Sequence, residues 1–247
     1  MSTRISAERL RELNSGNTAT THLAECLAVD FTALLQVVAP VLEPEALQCM
    51  RDASGKGVTQ RMALAARLLR EAGQGDPAHW QAYASDTVRG WACYLIGSDA
   101  NATLPSKLQA MRPLADDRHF GVREWAWLAL RTDIVAAPLQ ALECLQPWTQ
   151  EGSPYLRRFA CEALRPRGVW ATHIALLKQH PDHALPLLEA LADDPDRYVQ
   201  DSVGNWLNDA GKTQPHWLRD LCARWQREHD GGANACIRKR ALRSLRQ

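Results

Sequence analysis

Val122-Arg123-Glu124-Trp125-Ala126 stands 34 residues after Val88-Arg89-Gly90-Trp91-Ala92 and 34 before Leu156-Arg157-Arg158-Phe159-Ala160. Two further copies follow, Val199-Gln200-Asp201-Ser202-Val203 after a step of 43 and Ile237-Arg238-Lys239-Arg240-Ala241 after a step of 38. Self-similarity at a few tens of residues marks a repeat architecture. Capping or turn residues precede most copies: Ser85-Asp86, Asp116-Asp117, Gly152-Ser153-Pro154 and Asp193-Asp194-Pro195-Asp196. Such side chains satisfy the free N–H groups at a helix start. Between the copies run amphipathic segments, Lys107 to Leu114, Pro138 to Leu145, Ile174 to Lys178 and Trp217 to Trp225, with apolar residues at helical spacing.

Each unit thus reads as helix, turn, helix, and no sustained period-two alternation suggests strands. A helix pair cannot bury its apolar face alone, so neighbours must stack. The expected fold is all-α: a HEAT-like solenoid of antiparallel helix pairs, curved, with the second helices lining a concave face. We expect a single domain over 1–247, divided into an N-terminal helical cap, 1–75, and repeats over 76–247. Helical runs without the repeat signature make up the cap: Ile5 to Leu13, Thr20 to Val38, Pro44 to Arg51 and Gln60 to Glu71.

Hydrophobic residues form 46% and charged residues 23% of the 247, enough apolar material for a substantial core. No run approaches the roughly 18 apolar residues of a membrane span, and the start lacks the apolar centre of a signal peptide, so a cytoplasmic protein is expected. Seven scattered cysteines without C-x-x-C spacing read as buried reduced thiols, with neither disulfide framework nor zinc site. The eight histidines have no metal-ligand spacing, and nucleotide-binding and hydrolase motifs are absent, so neither metal nor cofactor is expected. A net charge of +1 argues against a dedicated nucleic-acid binder and for a protein-interaction scaffold, unless basic residues gather locally.

Counted from the apolar anchor of each second helix, three acids stand at plus two, plus six and plus ten: Glu124, Glu162 and Asp209. Steps of four stay near one helical face. With parallel second helices, these carboxylates form a diagonal line converging on one site. Arg158, Arg165, Arg167, Lys212, Arg238 and Lys239 lie on the same helices or the turns after them and are candidates for phosphate contacts. Arg89 and Arg123, directly after their anchors, read instead as members of an Asp–Arg ladder between repeats, with Asp86, Asp117 and Asp194 as available partners. Of nine tryptophans, Trp91, Trp125, Trp217 and Trp225 read as core. Trp127, Trp170 and Trp206 are assigned to the ligand, for which a tryptophan face over a cationic base offers about 0.5 to 2 kcal/mol.

The stretches Arg157-Arg158-Phe159-Ala160-Cys161-Glu162-Ala163-Leu164-Arg165-Pro166-Arg167-Gly168-Val169-Trp170 and Asp194 to Asp209, with Lys212 beyond, resemble the AlkC branch of the AlkC/AlkD HEAT-like alkylpurine DNA glycosylases. The likeness is strongest from about Asp116 to Lys212 and weaker near Leu23 to Phe31. It implies catalytic acids at Glu124, Glu162 and Asp209 and a site aromatic at Trp170. It also implies double-stranded DNA with alkylated bases as partner, monofunctional hydrolysis to an abasic site, a preference for 3-methyladenine, and a monomer. Three departures stand out: Ala163-Leu164 where small residues are usual, Gln200-Asp201 in place of paired basic residues, and Trp206 where a histidine is expected. With few residues after the last repeat, the immunoglobulin-like domain that some AlkC proteins append is not expected. A non-catalytic relative that binds branched or damaged DNA remains open beside the enzyme.

Overall fold

The computed structural model describes residues 5–168, 170–229 and 231–245; all its regular elements are helices, with no strand among the described residues. None of these helices is long and apolar enough to cross a membrane. The chain divides into two compact units. One holds the described residues up to Ala102 together with Asp117–Ala129; the other holds Thr103–Asp116 and everything described from Leu130 onward.

In the first unit, helices Val58–Glu71, Asp86–Gly97 and Phe120–Ala129 pack in succession. Val88 and Val122, the expected anchors, have no exposed surface. Gly90 makes the approach possible: a Cβ there would lie 2.3 Å from Met62 Cε and 2.6 Å from Trp125 Cδ1. The expected run Thr20 to Val38 is two helices, Leu23–Ala28 and Phe31–Val38, because Asp30 accepts from the N–H groups of Thr32 and Ala33 and begins the second. Val58–Glu71, assigned to the cap, packs on Asp86–Gly97 much as one repeat helix packs on the next.

In the second unit, Pro154–Glu162, Arg197–Gly211 and Gly232–Ala241 stack in the same way, again with their anchors Leu156, Val199 and Ile237 buried. Ser153 and Asp196 cap the first two through the N–H groups of Tyr155 and Tyr198. The outer helices Leu104–Ala115, Pro138–Leu145 and Pro215–Glu228 follow the amphipathic runs read from the sequence, while Arg131–Ala136 and Leu185–Ala190 had no such signal. Four cysteines are buried, as expected, but Cys49 is exposed.

The Asp–Arg ladder exists, and each unit contains the same rung. Arg89 donates from Nε and Nη2 to Asp117 at 2.7 and 3.2 Å, while its Nη1 serves the carbonyls of Tyr83 and Ala84. Arg157 repeats this with Asp194 at 2.6 and 3.0 Å and with the carbonyls of Glu151 and Gly152. Each aspartate also caps its own turn, Asp117 through His119 N–H and Asp194 through Asp196 N–H. Its carbonyl accepts from the side chain six residues on, Arg123 in one case and Gln200 in the other. Asp86, offered as another rung, instead accepts from the N–H and hydroxyl of Thr20.

Candidate functional site

Helix Pro154–Glu162 ends on Glu162, and helix Arg197–Gly211 carries Asp209 in its last turn. Arg165 joins them. Its Nη1 donates to Glu162 Oε1 at 2.8 Å, and its Nε and Nη2 donate to Asp209 Oδ2 at 2.9 and 2.7 Å. The acids are 4% and 3% exposed. Glu162 Oε2 accepts from the Ser202 hydroxyl at 2.6 Å and lies 3.6 Å from Arg158, while Asp209 Oδ1 accepts from Lys212 at 3.3 Å. Burial pushes the Glu162 carboxyl up, but Arg158 and Arg165, helped by the Ser202 hydroxyl, more than offset this and hold it below the usual carboxylate range. Burial likewise disfavours the Arg165 charge, and the two acids reverse the effect, so that its guanidinium is held above its usual value. A cationic ligand reaching these carboxylates competes with Arg165 and Lys212 for the same oxygens.

Loop 163–174 leaves this pair and is pinned at its stem. Trp206 Nε1 donates to the Leu164 carbonyl at 2.9 Å, and Ile174 N–H donates to the Pro166 carbonyl at 3.1 Å. Arg131, to which the sequence assigned no role, donates to the carbonyls of Ala163, Arg165 and Thr172. Beyond these ties Trp170 is 59% exposed, with φ 58°, in the left-handed region that a bulky side chain rarely occupies. Backbone held in such a region costs about 1–3 kcal/mol and gathers at functional sites.

The other expected ligand-facing tryptophans are not on the surface. Trp206 is fully buried, with its N–H spent on the Leu164 carbonyl and its ring tilted against Trp217. Trp217 itself, read as core, is half-buried. Trp127 is buried and donates from Nε1 to Glu124 Oε2 at 2.9 Å, three residues back on the same helix; Glu124 is half-buried in the first unit. Both tryptophans therefore orient other groups instead of meeting a ligand.

The basic residues divide similarly. Arg158 lies over the Tyr198 ring at 4.4 Å and beside Glu162, and Arg165 bridges the acids, so neither is turned to solvent as expected. Desolvated carboxylates drew them inward. Arg167 reaches the Asp209 carbonyl at 3.3 Å and the Thr213 hydroxyl at 2.7 Å. Arg238 is held by Asn234 and Gln226. Lys212 and Lys239 are exposed. Ser202 and Arg131 were missed: a serine inside a repeat copy has no distinguishing signal, and Arg131 acts on main-chain carbonyls 32 to 41 residues away. Among the described residues no group of three or more His, Cys, Asp or Glu side chains is placed to hold a metal ion.

A family model described as DNA alkylation repair enzyme matches residues 122–245. The protein YhaZ of Bacillus subtilis (strain 168) is 42% identical over 85 residues, 34% of this chain and 24% of that protein. Two solved structures are similar. One is Pseudomonas fluorescens alkylpurine DNA glycosylase AlkC bound to DNA containing an abasic site analog, with TM-score 0.69 and 24% identity over 97% of this chain and 63% of that one. The other is AlkD2 from Streptococcus mutans, with TM-score 0.58 and 22% identity over 86% and 96%. At such identities they establish the fold, the HEAT-like helical repeat. The chain spans about a quarter of the length of the curated relative and 63% of the AlkC chain.

Proposed function

Because the chain belongs to the DNA alkylation repair enzyme family, we propose that it hydrolyses the N-glycosidic bond of cationic alkylated purines in double-stranded DNA, 3-methyladenine before 7-methylguanine, leaving an abasic site. The observation that carries this reading is Trp170, exposed and strained on a loop tied down beside the Glu162–Arg165–Asp209 cluster.

An N3- or N7-alkylated purine already bears positive charge, so it departs without a general acid. The C1′–N bond breaks with its electron pair going to the base, which leaves neutral, and positive charge develops on the sugar as an oxocarbenium ion. Carboxylates suit that charge electrostatically, and one of them takes the proton from the water that adds to C1′. Glu162, Asp209 and Glu124 are assigned this work. Trp170 offers its ring face to the cationic base. Lys212, Lys239, Arg238 and Arg167 are assigned to phosphates. Arg158 and Arg165 act through the acids. The protein works as a monomer, with neither metal nor lysine Schiff base.

Incubation with methylated duplex DNA and quantification of released 3-methyladenine and 7-methylguanine tests this, alongside Glu124→Gln, Glu162→Gln and Asp209→Asn. Release of 3-methyladenine that fails in the variants is expected; recovery of a borohydride-trapped protein–DNA adduct contradicts the monofunctional mechanism. A second reading, DNA binding without excision, is favoured by one observation: Glu162 and Asp209 are buried and already paired with guanidinium and ammonium groups. Wild-type protein that binds damaged duplex but releases no base would establish it.

A further inference from the structure

Arg131 opens helix Arg131–Ala136 and is 3% exposed. Its Nη1 donates to Ala163 O at 2.8 Å, its Nη2 to Arg165 O at 2.7 Å and its Nε to Thr172 O at 2.7 Å. All three acceptors are main-chain carbonyls, two at the start of loop 163–174 and one near its end. Burial, with the charge of Arg165 adding to it, pushes the guanidinium down to about 10. A cation in such a place is expensive to desolvate, and its hydrogen bonds to three carbonyls offset that cost. The planar guanidinium serves the three carbonyls from three separate nitrogens in a fixed fork, whereas glutamine has only two amide donors and lysine gathers its three on one nitrogen.

We propose that Arg131 is a positioning residue that holds loop 163–174 in its working shape before any DNA arrives, setting both where Arg165 begins its reach to the two acids and where Trp170 stands. Its part in catalysis rests on the glycosylase reading; its hold on Trp170 does not. The geometry joins the two through a single side chain. The carbonyl of Arg165 itself is one of the three acceptors, and the Thr172 carbonyl lies two residues beyond Trp170. Preorganisation of this kind lowers the cost of bringing reacting groups together.

The full chain labelled with 5-fluorotryptophan gives one fluorine line for each of its nine tryptophans, and Trp170→Phe identifies the line of Trp170. In Arg131→Met, the lines of Trp170 and of Trp206, which shares the loop through Leu164, are expected to shift or broaden while the others stay. Base release in single turnover falls by about 10²-fold, the penalty of misplacement by an ångström, with affinity for abasic-analogue duplex close to wild type. Arg131→Lys keeps the charge and part of the hydrogen bonding, serves as the second variant should Arg131→Met not fold, and is expected to move the same two lines. A Trp170 line unmoved in both variants overturns the proposal whatever the activity, and so does uniform movement of all nine lines in both. Wild-type protein that releases no base, with the Trp170 line still moving, refutes the enzymatic reading and leaves the positioning role standing.

Discussion

Arg165→Met strips the acid pair of its shared cation while keeping most of the side chain's bulk. Three charge-assisted hydrogen bonds of 2.7 to 2.9 Å disappear. Asp209 is left with Lys212 at 3.3 Å, and Glu162 with Ser202 and the more distant Arg158. Removing one partner of a buried ion pair costs about 3–5 kcal/mol, so a loss of that order is expected near neutral pH. Its pH dependence is the sharper test. In the wild type the Glu162 carboxyl is held below its ordinary value, so its contribution is present above about pH 4.3 and is lost as pH falls through the lower folded value. In the variant, burial of Glu162 is no longer opposed by Arg165, and its folded carboxyl rises. The variant then takes up protons on acidification before its unfolded state does, and gains stability relative to the wild type. The gap should narrow by up to about 1.4 kcal/mol per pH unit for each proton bound. Urea unfolding followed by tryptophan fluorescence at about pH 7.5 and about pH 5.5 measures it. A loss below about 1 kcal/mol, or a gap equal or wider at the lower pH, refutes the account of a buried Glu162 carboxylate held ionised by Arg165.

Trp170 supplies a second test, because glycine accepts φ 58° freely. Trp170→Gly should melt above Trp170→Ala by the equivalent of about 1–2 kcal/mol, while both lose roughly 2- to 30-fold in base release for a missing cation–π contact. In the ladder, Asp194→Asn leaves the half-buried Arg157 without its counter-ion and should cost about 1–3 kcal/mol in urea, whereas Arg157→Met combined with Asp194→Leu should recover part of that. For DNA affinity, Lys212→Gln and Lys239→Gln should each flatten the log–log salt slope by about 0.9 if each meets one phosphate, and Arg158→Gln, turned toward Tyr198 and Glu162, should leave it unchanged.

The repeat was legible because its signal is steric. All five anchor positions are buried, and a residue that must be apolar in every copy leaves a period that survives changes in loop length. The ladder was half legible: the arginine after the anchor and the aspartate before the next copy could be seen, but not that Asp86 would turn to Thr20. Within the site, helical phase brought Glu162 and Asp209 onto neighbouring helices, as the structure has them. Helical phase carries no information about depth, however, so Arg158 and Arg165 were read as surface groups. Trp206 misled for a related reason. It shares a helix with Asp209 and was assigned to the ligand, yet its indole N–H finds the Leu164 carbonyl forty-two residues back. The shape of loop 163–174 was not readable at all, since Arg131 determines it through main-chain atoms that look alike in every sequence.

The two rungs of the ladder differ in one respect. Arg89 meets an aspartate 28 residues on, whereas Arg157 meets one 37 residues on, with the same bond pattern and the same turn beneath. A joint made by side chains does not measure the length of chain it spans. The nine-residue surplus is absorbed between the two ends of the longer rung, in the stretch that contains the Trp170 loop and the broken helices after it. The frame therefore behaves like a socket. The loop between Pro166 and Ile174, whose ends are tied by a hydrogen bond, can change in length or composition while Ile174, Leu177, Leu187 and Leu188 stay buried, so the presented side chain can change without a new scaffold.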